Sequence, residues 1–238
     1  MRNWAHSARL ALGLTLGVLA APVVATPPQV IWITDALFAQ NDDVVLVLRT
    51  IGDNHGSHFT TQTDTFLLTV DRADGSLRAV APVERVVDHH LGEPEIDKTT
   101  FTPIDGAVNP YAVRAELNAA PLADPVVTDW QLARIAPDSL QVVEGEEVTH
   151  RIGFDALRTQ LAASVRQTRD LLPVLHGPIP GAVPDPESID FARECSADAV
   201  YTRFEMDQTP PAMARMICED REAGGVSTYW VTVPAVGG

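Results

Sequence analysis

The chain has 238 residues and a formal net charge of −15, from 32 acidic and 17 basic residues. A surface with this charge repels the phosphates of nucleic acids and of anionic lipids, so the composition argues against both as partners. Hydrophobic residues make up 45% of the chain, which is enough to bury a core in one large domain or two small ones.

The N-terminus has the three parts of a secretory signal peptide. Arg2 and Arg9 precede an apolar run from Leu10 to about Val24, and the run ends in small residues. It is shorter than the ~20 residues that span a bilayer. We predict cleavage after Ala25, which changes the net charge from −15 to −17 because segment 1–25 contains two arginines and no acidic residue. The sequence thus predicts a periplasmic or secreted protein that is not inserted in a membrane once its signal is removed.

The first half of the mature chain predicts antiparallel strands. "QVIWIT" is typical of a short strand, and "DDVVLVLRTI" has the β-branched residues of a buried one. "DTFLLTVDRADGSLRAVAPV" predicts a strand, a tight turn at Asp74-Gly75 and another strand. We therefore expect three antiparallel strands from Val44 to Val83. One blade of a β-propeller has the same order of elements, but the pattern occurs only once in the chain.

The middle of the chain predicts two helices and a hairpin. In "NPYAVRAELNAA", Asn109 caps a helix of about three turns and Pro110 takes its first position. "TDWQLARIA", "SLQVVEG" and "EVTHRIGF" follow, and "EGEE" joins the last two as a hairpin. "FDALRTQLAASVRQTRDLLP" predicts an amphipathic helix with Asp155 as its N-cap and Pro173 as its end. The stripe that should pack on a sheet comprises Leu157, Leu161, Val165, Thr168 and Leu172.

A proline-rich stretch separates the last part of the chain from the rest. Prolines at 178, 180, 184 and 186 mark a linker over 177–188. A short helix and three strands follow it, and "REAGG" joins the last two strands as a hairpin. We predict an α+β fold: a mainly antiparallel sheet with one amphipathic helix packed on it over 26–176, and a disulfide-stapled C-terminal β unit over 189–238 docked on that domain.

The two cysteines, Cys195 and Cys218, predict a disulfide because an even number in an exported chain favours pairing. The alternative, a redox dithiol, usually has the pattern Cys-x-x-Cys, and the spacing here is far wider. On the chain-entropy estimate, closing this loop stabilises the fold by roughly 3 kcal/mol.

Four histidines raise the question of a metal site. His55 and His58 lie in a polar loop, and His89 and His90 follow about thirty residues later. Imidazoles bind Zn²⁺ or Cu²⁺ when three or four ligands converge about 2 Å from the metal. Adjacent residues of an extended segment face opposite sides, so only one of His89 and His90 could join the loop pair. We favour solvated loop histidines and no cofactor. The alternative is a Zn²⁺ or Cu²⁺ site that uses His55, His58 and either His89 or His90.

The motifs of several enzyme classes are missing from the sequence. No serine lies in Gly-x-Ser-x-Gly, and a Ser-x-x-Lys motif at Lys98, the only lysine, would need a serine where the chain has Glu95. Bridged cysteines are unavailable as nucleophiles. The sequence therefore favours a non-enzymatic exported binding or accessory protein of the bacterial envelope, whose partner is a protein or a small molecule. The alternative is a metal-binding protein or a metal-dependent hydrolase that uses the loop histidines.

Overall fold

The computed structural model describes residues 26–90, 92, 96–122, 132–171, 186–201, 211–219 and 224–237. The signal peptide predicted over 1–25 and most of the linker predicted over 177–188 lie outside these residues. The described ranges form antiparallel sheets with one long helix, which confirms the predicted α+β class. Within the same ranges, no helix is both long enough and apolar enough to cross a membrane.

The largest sheet has six antiparallel strands: β1 (Ile31–Gln40), β2 (Val44–Asp53), β3 (Thr60–Asp71), β4 (Leu77–His89), β5 (Lys98–Thr102) and β6 (Ala120–Pro121). Their order across the sheet is β5-β4-β3-β2-β1-β6. Its centre is the predicted antiparallel meander, and the turn between β3 and β4 places Gly75 at φ 74°, a conformation that glycine adopts without steric cost. The segment "VERVVDHH" continues β4, while the two short edge strands β5 and β6 were not predicted.

Two smaller sheets of three strands each complete the β structure. The first contains the hairpin predicted around "EGEE", and the second is the predicted C-terminal unit, which opens with the short helix α3 (Phe191–Glu194). In this second sheet the middle strand pairs with both neighbours. The strands are β7 (Ala133–Ile135), β8 (Ser139–Glu144) and β9 (Glu147–Gly153), then β10 (Cys195–Tyr201), β11 (Ala212–Glu219) and β12 (Val226–Val233).

Both predicted helices form, with different ends. Helix α1 (Pro110–Glu116) begins where expected, because the Asn109 side chain accepts a hydrogen bond of 2.9 Å from the Tyr111 backbone N–H. It has two turns rather than three, since Asn118 adopts a left-handed φ of 50° that ends it. Helix α2 (Phe154–Leu171) begins before Asp155, so this residue lies in the first turn and is not the N-cap. Its carboxylate still interacts favourably with the helix dipole there.

The main core lies on one face of the six-stranded sheet, which we call the inner face. Helix α2 and strands β10, β11 and β12 contribute to the same apolar cluster as Ile33, Val47 and Phe66 of this face. The C-terminal sheet therefore packs directly on the large sheet. Helix α1 covers part of the opposite face through a second, smaller cluster. On α2, the buried residues are those of the predicted stripe, Leu157, Leu161, Val165 and Thr168, while Leu172 lies outside the described residues.

Candidate functional site

The four histidines lie at one end of the six-stranded sheet. His55 and His58 are in the loop between β2 and β3, and His89 ends β4 opposite Thr60, the first residue of β3. The backbone N–H of His90 donates to the carbonyl of Phe59 in the same loop at 2.7 Å. The fold thus brings both histidine pairs to one edge, as a shared site would require.

Among the described residues, the contacts seen for three of these histidines are local. His55 Nδ1 lies 3.5 Å from an Asp53 carboxylate oxygen, and His89 Nδ1 lies 3.5 Å from the Thr60 hydroxyl. The His58 ring packs edge-on against Phe59, with 6.3 Å between the ring centres. Among the residues that the structure describes, no three His, Cys, Asp or Glu side chains are grouped as metal ligands would be. The metal site stays a prediction.

A row of charged side chains crosses the inner face of the large sheet. Asp35 on β1 stands opposite Arg49 on β2, and Asp64 on β3 stands opposite Arg85 on β4. The Nε and Nη2 atoms of Arg49 each donate to one Asp35 oxygen at 2.7 Å. Arg85 binds Asp64 through the same two atoms, at 2.5 and 3.0 Å. Both pairs are almost completely buried, with side-chain exposures of 2% and 1% for the first pair and 4% each for the second.

The Asp35–Arg49 pair connects three parts of the fold. Asp35 accepts from the Trp230 backbone N–H of β12 at 3.2 Å, and Arg49 donates to the Ser164 hydroxyl of α2. Burial alone would lower the pKa of Arg49, but the charge and hydrogen bonds of Asp35 outweigh it and raise the pKa above its ordinary value. Each charge is fully matched by its partner, so this pair serves as a structural connection between the sheet, the helix and the C-terminal unit.

Tyr229 of β12 lies against this pair, with the Arg49 guanidinium 5.6 Å from its ring centre. Its side chain is fully buried, and in the part of the chain that the structure describes its hydroxyl forms no hydrogen bond of good geometry. Burial raises the pKa of Tyr229 to about 12, although Arg49 and the nearby Ser227 hydroxyl act in the opposite direction.

Because the pKa of Tyr229 is raised from 10.0 to about 12 in the folded state, we expect the protein to lose stability in alkali. Above pH 10 the unfolded tyrosine loses its proton while the folded one keeps it, so the free energy of unfolding falls as the pH rises towards 12. The expected loss is about 2–3 kcal/mol over this range. Urea unfolding from pH 9 to pH 11.5 measures it. Tyr229→Phe should remove this part of the pH dependence, whereas Tyr111→Phe, at a 61% exposed position, should leave it.

A small cleft lies where the large sheet meets the C-terminal sheet. It holds about 220 Å³ of empty space, part of it open to solvent, and its walls are too close together for a whole water molecule. Cavities between packed units are common positions for ligand sites. The walls are formed by Gln40, Val45, Arg72, Tyr201, Pro211 and Met213.

Arg72 distinguishes this cleft from the rest of the interior. It follows β3 directly, and its side chain is held by one hydrogen bond of 3.0 Å from Nη1 to the backbone carbonyl of Asn41. The residue is only 8% exposed, yet within the described ranges it forms no ion pair with a carboxylate. The buried arginines Arg49 and Arg85 both have such a partner. Arg72 thus brings to the wall of the cleft a positive charge that no carboxylate of the described residues matches.

The polar groups beside Arg72 are also hydrogen-bond donors. Gln40 is 7% exposed, and its Nε2 donates to the Tyr201 hydroxyl oxygen at 2.8 Å. Because that oxygen accepts from Gln40, the tyrosine proton is available for an acceptor. The remaining wall residues are apolar. The cleft, which we call the Arg72 cleft, therefore combines a cation and a hydroxyl donor with an apolar surface.

The sequence reasoning missed the charged row and the Arg72 cleft. For the row a signal existed: the alternation of β1 places Asp35 with Ile31 and Ile33, and that of β2 places Arg49 with the core valines. For the cleft no such pattern existed, because its walls come from positions 40 to 213.

No family model, curated protein or solved structure matches the chain.

Proposed function

We propose that this chain is an exported, non-enzymatic binding or accessory protein of the bacterial envelope, and that its ligand occupies the Arg72 cleft. The observation that carries the proposal is the buried Arg72 guanidinium, which has no carboxylate partner among the residues that the structure describes. A buried cation is costly unless it is paired. A ligand that supplies the missing partner would recover this free energy on binding, which is how a binding site gains affinity from a group that weakens the fold.

Two further features support the proposal. The Cys195–Cys218 disulfide is typical of proteins that fold in an oxidising compartment, as an exported protein does. In each of the two deep charged pairs, the arginine donates to both carboxylate oxygens of its aspartate. Such paired bonds are strong and directional, so they are suited to holding the fold around the cleft.

Binding can be tested by NMR on the ¹⁵N-labelled, disulfide-bonded protein. A library of small anionic, cationic and neutral compounds is added in mixtures, and the backbone amide shifts are followed. We expect at least one compound to shift the amides of Gln40, Val45 and Met213, which line the cleft. Arg72→Met should abolish these shifts, because it removes the charge and keeps an unbranched side chain.

The matched control is Arg78→Met, which removes a more exposed arginine of β4 that is paired with Asp71. Its ligand-induced shifts should equal those of the unmodified protein. A library that leaves the cleft amides unchanged contradicts the proposal. Shifts at His55 and His58 that follow the addition of Zn²⁺ and disappear in the His55→Ala, His58→Ala variant would instead favour the metal-binding alternative.

A further inference from the structure

We infer that the Arg72 cleft recognises a carboxylate group that carries a short aliphatic chain. This inference rests on the proposed function, because it names the ligand class of the same cleft. It comes from comparing Arg72 with the other arginines of the fold.

The described arginines that bind carboxylates in the interior do so through one edge of the guanidinium group. Arg49 and Arg85 both use the pair of atoms Nε and Nη2 to hold the two oxygens of an aspartate. Arg215 does the same with Asp198, at 2.7 and 2.6 Å. The edge matches the spacing of carboxylate oxygens, which makes the paired bonds strong and directional.

In Arg72 this edge has no partner among the described residues. Its bond to the Asn41 carbonyl uses Nη1, and no described residue forms a hydrogen bond with Nε or Nη2. A carboxylate from a ligand can therefore take the position that Asp35 and Asp64 take on the other two arginines.

The surroundings favour a group with one negative charge. Asp42 and Asp43 are exposed in the adjoining turn, and the backbone N–H of Arg72 donates to the Asp43 carbonyl at 3.0 Å. Asp71 precedes Arg72 in the chain and is paired with Arg78. These acids, in a chain with a net charge of −15, repel a phosphate dianion more strongly than a carboxylate.

The rest of the cleft favours a short aliphatic chain behind the carboxylate. Val45, Pro211 and Met213 form an apolar wall, and the narrowness of the cleft restricts the ligand to a short chain. Since the walls are too close for a whole water molecule, a side chain has to turn aside on binding. Tyr201 is suited to this because it is half-buried and its hydroxyl is held by the single bond from Gln40.

The test is an NMR titration at constant ionic strength with butyrate, butyramide, butylamine and phosphate. We expect butyrate to shift the amides of Gln40 and Met213 and the side-chain NH₂ of Gln40 in a saturable way. A dissociation constant on the order of 1 mM is expected for so small a ligand. The other three compounds cannot form the carboxylate–guanidinium interaction. The loss of one modest interaction raises the dissociation constant about tenfold, so we expect each of them to bind at least about tenfold more weakly than butyrate.

Variants separate the role of the guanidinium from that of the cleft as a whole. Arg72→Met should abolish butyrate binding, and Arg72→Lys should weaken it because a lysine cannot form the paired bonds. Arg78→Met should bind as the unmodified protein does. Tyr201→Phe, which removes only a hydroxyl, tests the cleft by a second route, and we expect butyrate to bind it several-fold more weakly.

The possible failures are distinguishable. If butyramide or phosphate shifts the cleft residues as strongly as butyrate, the carboxylate inference is overturned while binding at the cleft stands. The same conclusion follows if a folded Arg72→Met variant keeps its affinity for butyrate. If neither these compounds nor the wider library shifts any cleft residue, the proposed function itself is overturned.

Discussion

Replacing Asp35 with alanine should lower the free energy of unfolding by about 3–5 kcal/mol, the range found when one partner of a buried ion pair is removed. The variant leaves the Arg49 guanidinium inside the core, where its side chain is 2% exposed. A guanidinium cannot lose its proton in a protein, so the charge stays buried and unpaired. The Trp230 backbone N–H also loses its acceptor, which adds to the cost.

Arg49→Met should be less damaging than Asp35→Ala, although it breaks the same pair. The carboxyl group left behind in Arg49→Met can take up a proton and become neutral, whereas the guanidinium left by Asp35→Ala cannot become neutral. Urea unfolding at pH 7 measures both changes. The control is Glu187→Ala, whose ion pair with Arg166 has both side chains more than 60% exposed and should contribute less than about 1 kcal/mol.

Equal losses in Asp35→Ala and Glu187→Ala would contradict this account of the charged row. In that case the interior around Asp35 would have to admit water that screens the arginine. A larger loss of stability in Arg49→Met than in Asp35→Ala would also contradict this account. That result would mean that the carboxyl group left without a partner costs more free energy than the unpaired guanidinium.

The charged row also fixes how the strands pair. Asp35 and Arg49 are opposite each other on β1 and β2, as are Asp64 and Arg85 on β3 and β4. A slip of one residue between paired strands moves every side chain to the other face. It would separate each aspartate from its arginine and leave charges unpaired, so the row disfavours the slipped pairings more strongly than apolar residues could.

Much of the fold follows from local patterns, which is why it could be predicted. The meander around Asp74-Gly75 and the stripe of α2 depend on the spacing of apolar residues within one segment. Strand β5 escaped prediction because "KTTFT" is polar and mostly exposed, and it becomes a strand only through its pairing with β4. Strand β6 has two residues and likewise exists only as the partner of β1.

The candidate site was only partly predictable, for the same reason. Asp35 and Arg49 could have been recognised as inward-facing from the alternation of their strands, although their pairing depends on the register. The cleft joins Gln40 and Arg72 to Tyr201, which lies more than 120 residues further along the chain. A single sequence contains no local pattern that joins residues so far apart. That Arg72 has no carboxylate partner among the described residues becomes visible only once the buried aspartates have been assigned to other arginines.

Removing the disulfide should lower the free energy of unfolding by about 3 kcal/mol, because Cys195 and Cys218 are 23 residues apart and the bond restricts the unfolded chain. The two residues are direct partners at one end of the β10–β11 pair, as the sequence predicted for a staple of the C-terminal unit. Urea unfolding with and without dithiothreitol measures the effect. The double variant Cys195→Ala, Cys218→Ala should show the same loss and no further response to dithiothreitol.

The position of the disulfide extends this prediction to the Arg72 cleft. Tyr201 and Met213, two of the cleft walls, are partners at the opposite end of the same strand pair. Without the bond, the pair is free to open from its Cys195 end, and the geometry of the two walls becomes less fixed. We therefore expect butyrate to bind the double alanine variant several-fold more weakly than the disulfide-bonded protein. Unchanged affinity in a variant that has lost about 3 kcal/mol of stability would show that the cleft is held by the large sheet alone.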